Sequence, residues 1–201
     1  TPTDFLAGEQ TIEASYRAEA TVEGEVTFTL AGTLKFQAVA EEPEVLEIYE
    51  SVVLKQNYNE VIVAGNNLVV NLGGYTAQVL TVTGDNVTLK NGTIINLTIA
   101  EGVEDVVLED ITDGEGGMWT FAGGGSGSIV FKGATSLKGQ IIITAPTPIE
   151  IRSESPDSEI SGNVIVKTVE SVVIDIPVQG EIGVQAASES VTIKKQVKKI
   201  I

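Results

Sequence analysis

A parallel β-solenoid is the fold class this sequence predicts, and three observations predict it. Apolar-x-apolar pairs recur at a period near twenty residues, the pairs are rich in β-branched residues, and Gly, Asn and Asp separate them. The doubling is plainest in Leu80–Leu108. There Leu80-Thr81-Val82-Thr83-Gly84-Asp85-Asn86-Val87-Thr88-Leu89 is followed by Leu97-Thr98-Ile99-Ala100-Glu101-Gly102-Val103-Glu104-Asp105-Val106-Val107-Leu108. Each copy is a short strand, a polar turn and a second short strand.

The first strands carry Val61/Val63, Leu80/Val82, Leu97/Ile99, Trp119/Phe121, Ile141/Ile143, Val164/Val166 and Ile182/Val184. The second strands carry Val70/Leu72, Val87/Leu89, Val106/Leu108, Ile129/Phe131, Ile149/Ile151, Val172/Ile174 and Val191/Ile193, with steps of 17, 19, 23, 20, 23 and 19 residues. All 28 positions are apolar in a chain that is 42% hydrophobic. One unit cannot bury its apolar row alone, but stacked units share a continuous core. Stacked strands lie about 4.8 Å apart, so seven units span roughly 30 Å. The uneven steps belong in turns, where insertion is cheap.

Over about residues 61–195 this pattern resembles the right-handed parallel β-helix proteins of the pectin-lyase-like class. The resemblance implies an all-β, right-handed parallel β-helix of about seven to nine rungs with an N-terminal cap. It is one of period and pattern, with no family-specific motif.

Taken in order, residues 1–25 read as a linker or cap, and 26–201 as one continuous solenoid. Thr1-Pro2-Thr3 is like the end of a Thr/Pro linker, which suggests a mature product or a piece of a larger secreted bacterial protein. Val26/Phe28 and Leu34/Phe36 repeat the strand–turn–strand form, so the stack is expected to begin near Val26. Glu41-Glu42-Pro43-Glu44-Val45-Leu46-Glu47-Ile48-Tyr49, with early proline and glutamates, suits a helix N-terminus. That segment or residues 4–20 is expected to cap the first rung. Asn and Gly crowd the turns from Asn57 to Asn96, since they tolerate left-handed backbone. Asn86-Val87-Thr88, Asn91-Gly92-Thr93 and Asn96-Leu97-Thr98 match the glycosylation acceptor pattern, which the strand–turn alternation also generates unaided. Gly123–Ser128 is glycine-rich, but no Lys-Ser/Thr and no helix pattern follow, so it reads as a long turn. Lys194, Lys195, Lys198 and Lys199 are four of the twelve basic residues.

The bulk numbers exclude several chemistries. Cysteine and histidine are absent, which removes disulfides, thiolate metal sites and imidazole acid–base work. A net charge of −16 opposes binding to nucleic acid and to anionic membranes. No run of 18 apolar residues is present, so no helical membrane insertion is expected.

No catalytic residue is assigned. Calcium is the one candidate cofactor, from the acidic group Glu101, Glu104, Asp105, Glu109, Asp110 and Asp113, with Glu115 beside it. Without a calcium-loop motif the same run reads first as a solvated face, as charge runs usually do. Pectate lyases place an Arg or Lys beside bound calcium. Here only Arg17 and Arg152 exist, and no matching cluster sits at rung spacing. Trp119 and Phe121 fall on the inward register. Tyr49, Tyr58 and Tyr75 fall in turns or the cap and are the candidates for stacking on a sugar ring.

Outward positions include Val107, Val130, Ile142, Ile165 and Val173. Apolar residues there predict a covered surface, with a chain segment or a second subunit as the cover. Thr81, Thr98 and Thr120 form a ladder like that of ice-binding solenoids, too short to carry that reading. Together these features suggest a non-catalytic extracellular or cell-surface module, structural, adhesive or glycan-contacting. Its partners would be a polysaccharide, a cell-surface protein or a second copy of the chain. The alternatives are a polysaccharide lyase or hydrolase, and a phage or appendage fibre segment.

Overall fold

The structure is a computed structural model. It describes residues 8–12, 18–19, 27–28, 34–38, 45–123, 128–185 and 190–200. The chain divides into two units, Thr1–Glu42 and Pro43–Ile201.

In the first unit, Gly8–Ile12 pairs with Leu34–Ala38 and Ala18–Glu19 pairs with Thr27–Phe28, both antiparallel. Antiparallel hairpins are not solenoid rungs, so the stack does not begin at Val26. Apart from Gly8–Ile12 and Ala18–Glu19, the cap expected over residues 4–20 lies outside the described residues. So does the centre of the glycine-rich turn, 124–127.

The second unit is an all-β parallel solenoid of about eight turns. It starts at Leu46–Ile48, a strand and not the helix start expected of the Glu41–Tyr49 segment. Leu46 and Ile48 pair in parallel with Val61 and Val63, so they already sit in the inward column. The gain from that column outweighs the local helix signal of Pro43 and the glutamates.

Three sheet faces run the length of the stack. On the first, Val61, Leu80, Leu97, Trp119, Ile141, Val164 and Ile182 lie one above another in unbroken register, and all are fully buried. On the second face the expected register holds for Val87/Val106/Ile129 and for Ile149/Val172/Val191. It slips by two residues at two places. Leu89 pairs with Val70, and Ile151 pairs with Ile129. A slip of two keeps every side chain on its side of the sheet, whereas a slip of one would turn it over.

The third face was not read from the sequence. It stacks Ala77 with Ile94, then Leu137, Ile160, Val178 and Val197. The three faces enclose one core, which includes Trp119, Phe121 and Phe131. The Trp119 and Phe131 ring centroids are 6.2 Å apart. The indole N–H of Trp119 donates to the Ile94 carbonyl at 3.0 Å, so the buried ring leaves no polar group unpaired.

The corners explain the Asn, Asp and Gly content. Asn67, Asn86 and Asp105 are left-handed at the corner from first to second face, with φ of 58°, 59° and 53°. Asn91, Asp110 and Gly133 are left-handed at the next corner, at 66°, 53° and 60°. The third corner is a glycine column. A Cβ on Gly139 would lie 1.8 Å from the Gly117 carbonyl oxygen, and one on Gly162 would lie 1.5 Å from that of Gly139. Any side chain there drives one rung into the next.

Candidate functional site

The outward side of the first face is formed by two columns. Val79, Asn96, Met118, Gln140 and Asn163 make one, and Thr81, Thr98, Thr120, Ile142 and Ile165 make the other. These ten positions span five rungs, about 19 Å at ordinary strand spacing. None of them is charged, although the chain carries −16. Val79 is 38% and Met118 48% exposed. Carboxylates appear only at the ends of the columns, at Glu47, Glu60 and Glu181. The result is a flat neutral platform of hydroxyl, amide and aliphatic groups. Charge repels acidic partners from the rest of the solenoid, but not locally from here.

The amides are held in position. The Asn96 carbonyl oxygen accepts the Met118 N–H at 3.2 Å, and that of Asn163 accepts the Glu181 N–H at 2.9 Å. Each bond fixes the side chain through its oxygen and does not use its NH2 group. The amide column was missed in the sequence because only the residue between each inward pair was read as outward. The residue preceding each pair points the same way and was the available signal.

The second face is different. Its outward column runs Asn71, Lys90, Glu109, Lys132, with signs alternating along the rungs. Lys132 pairs with Glu154 at 3.0 Å, and Arg152 also bonds Glu154. Lys194 pairs with Glu150 at 3.1 Å, and Lys195 with Asp175 at 3.7 Å. Asp105, Val107, Val130, Lys132, Arg152 and Glu154 line one groove of about 210 Å³. Hydrogen bonds from Lys132 and then Arg152 hold the Glu154 carboxyl below its ordinary value.

The interface candidates are placed as follows. Val130 is outward yet only 5% exposed, lying in register between Val107 and Arg152. Arg152 reaches back to the Ser128 hydroxyl at 3.4 Å, so its stem covers Val130. Part of the cover over Val130 is thus a neighbouring side chain of the same face. Val107, Ile142, Ile165 and Val173 are half-buried by their neighbours.

The acidic candidates are spread around the solenoid. Asp105 accepts the Ser128 N–H at the first corner, and Asp110 accepts the Ala134 N–H at the second. Glu101 is exposed and Glu104 half-buried in the turn before Asp105, and Glu109 stands between Lys90 and Lys132. Asp113 is not a turn residue in solvent. It is fully buried and accepts N–H groups of Gly117, Lys138 and Gly139 at 3.0, 3.0 and 2.7 Å. Among the described residues no three acidic side chains form a group able to hold a metal ion.

The tyrosines do not form a row. Tyr49 is 66% exposed and its hydroxyl donates to Glu47 at 2.6 Å, which raises its pKa. Tyr58 is half-buried on the third face and pairs with Ala77, one rung and two residues away from Tyr75.

No protein-family model matches the chain, and none of the curated proteins or solved structures matches it. What stands is the parallel β-solenoid architecture itself.

Proposed function

We propose that the chain is a non-catalytic module of a cell surface or extracellular matrix, which holds a neutral polysaccharide against the outward side of its first sheet face. One observation carries this reading: five consecutive rungs leave their outward positions uncharged on a strongly acidic molecule. Hydroxyl and amide groups both give and accept hydrogen bonds, as sugar hydroxyls do, and the aliphatic positions suit the C–H surface of a sugar ring. The absence of stacked aromatic rings on the platform implies weak individual contacts that add along a polymer. The second face supports the non-catalytic part. Lys132 and Arg152 both bond Glu154, and Lys194 bonds Glu150, so these carboxylates are engaged in ion pairs.

Retention on immobilised neutral polysaccharides tests the reading. Wild-type protein should be retained, and Thr98→Glu with Thr120→Glu should not, while neither releases soluble sugar on long incubation. Equal retention of the two proteins would sink the platform, and steady release of sugar fragments would sink the non-catalytic reading.

A further inference from the structure

The platform is not uniform along its length. In the column Thr120, Ile142, Ile165, the next rung places Gly183, directly in register with Ile165. An aliphatic row thus ends in a residue without a side chain. A Cβ built on Gly183 meets no described atom within 4 Å, and its φ lies outside the left-handed region. The glycine is therefore not required by close packing or by backbone conformation, unlike those of the corner column. What it does is open a notch of about 290 Å³.

The lining of the notch is chemically specific. It combines Ile165, Gly183 and Val184 with the polar Gln140, Asn163, Glu181 and Gln185. Asn163 is fixed by the bond from the Glu181 N–H, which leaves its NH2 group free to donate. Glu181 is matched by Lys199 at 3.4 Å. Three primary amides around an apolar floor offer donors and acceptors at the rim and a dry surface beneath. That is the arrangement a small polar ring with one aliphatic side requires. The carboxylate of Glu181 in the wall, and the −16 charge of the chain, disfavour an anionic ligand.

We propose that this notch is a subsite for one sugar residue of a neutral glycan, seated on Ile165 and Gly183 and hydrogen-bonded by the amides of Gln140 and Asn163. The inference rests on the platform reading above and gives it a defined end-point. The sugar would lie where the platform meets Glu181, so that the rest of the glycan runs back over the Thr120 rung.

The substitution that tests it is Gly183→Leu. Leucine continues the aliphatic column into open space, so the variant should melt with the wild type while the notch is filled. The probes are neutral gluco-, galacto-, manno- and xylo-oligosaccharides, with uronic-acid oligosaccharides as the charged comparison. In amide spectra of the labelled protein, a neutral probe should shift the side-chain NH2 signals of Gln140 and Asn163 and the backbone signal of Gly183. Gly183→Leu should weaken that binding by about tenfold or more. Asn163→Asp, which keeps the acceptor for the Glu181 N–H and loses the NH2 group, should weaken it independently. If neutral probes bind wild type and Gly183→Leu alike, the notch is not the subsite and the platform reading stands. If no neutral probe binds, both fall. If the uronic-acid set binds in the notch, the ligand class assigned here is wrong.

Discussion

The first and second faces of the solenoid are built on the same inward rows and differ almost completely outside. Inward, both present stacked Val, Leu and Ile with aromatic residues at mid-stack, buried through most of the stack. Outward, the first face is neutral over five rungs, whereas one column of the second, Lys90, Glu109 and Lys132, alternates in sign beside a column that carries Thr88, Val107 and Val130. The inward rows set the fold and the outward rows are left free to differ. On the second face Lys132 and Arg152 meet Glu154, and Lys194 meets Glu150. On the first face the outward groups are not paired across rungs by charge, which leaves them available to something else.

The strongest way to break the comparison is at the structure both faces share. Gly162→Ala places a Cβ 1.5 Å from the Gly139 carbonyl oxygen, backbone that cannot move without shifting a rung. We expect a loss on the order of 4 kcal/mol or failure to fold, read from the urea midpoint. Gly183→Leu, a larger change on the first face, should stay within about 0.5 kcal/mol of wild type. If Gly162→Ala is as mild as Gly183→Leu, the glycine column is not a contact of adjacent backbones.

Asp113 is the next test. It lies on the third face and anchors the corner that leads into the first. Asp113→Ala removes a buried carboxylate that accepts three backbone N–H groups and should cost about 3 kcal/mol. Asp113→Asn keeps one acceptor oxygen and should recover part of that loss. Were Asp113 a calcium ligand instead, added calcium would raise the wild-type melting temperature and not that of Asp113→Asn.

The sequence carried the inward rows well, because alternation survives the errors made in aligning it. Both slips on the second face, at Val70 and at Ile129, were of two residues, and neither moved a side chain across the sheet. The third face escaped because its strands are short. Ser136–Leu137 and Glu159–Ile160 are two residues each, too brief to show a period. The platform and the charge ladder were hidden for a different reason. Columns exist only once register is known, so Gln140 above Met118, or Lys132 above Glu109, is invisible in a linear reading. The burial of Asp113 had no sequence signal, since an aspartate among glycines is an ordinary turn pattern.

A smaller effect should separate the two outward surfaces directly. Lys132→Glu puts a third carboxylate between Glu109 and Glu154 on the second face. It should lower the melting temperature by roughly 1–3 °C at low ionic strength, and most of that should vanish in high salt. Thr120→Glu adds the same charge to the first face, where the neighbouring positions Thr98 and Ile142 are neutral. It should leave the melting temperature nearly unchanged at any salt. Equal, salt-sensitive losses at both sites would mean that the overall charge, not the local ladder, sets the response.

The smallest effect concerns acid, and it belongs to the second face alone. Glu154 is held below its ordinary value first by Lys132 and then by Arg152. A carboxyl whose pKa is lower folded than unfolded favours the folded state above the ordinary glutamate value, near pH 4.3. That contribution is lost as pH falls from there through the lowered folded value, because protonation then takes place in both states. Glu154 is exposed, so solvent screens the effect. Carbon-detected titration of the Glu154 carboxyl should show a midpoint below that of an unpaired glutamate, and Lys132→Met should move it upward. Glu154→Gln should remove a small part of the acid-side slope of stability and leave the neutral-pH behaviour of the first-face platform untouched. A Glu154 midpoint that stays put in Lys132→Met would show that the two side chains meet without being coupled, and the ladder on the second face would then be a row of neighbours and not a set of bonds.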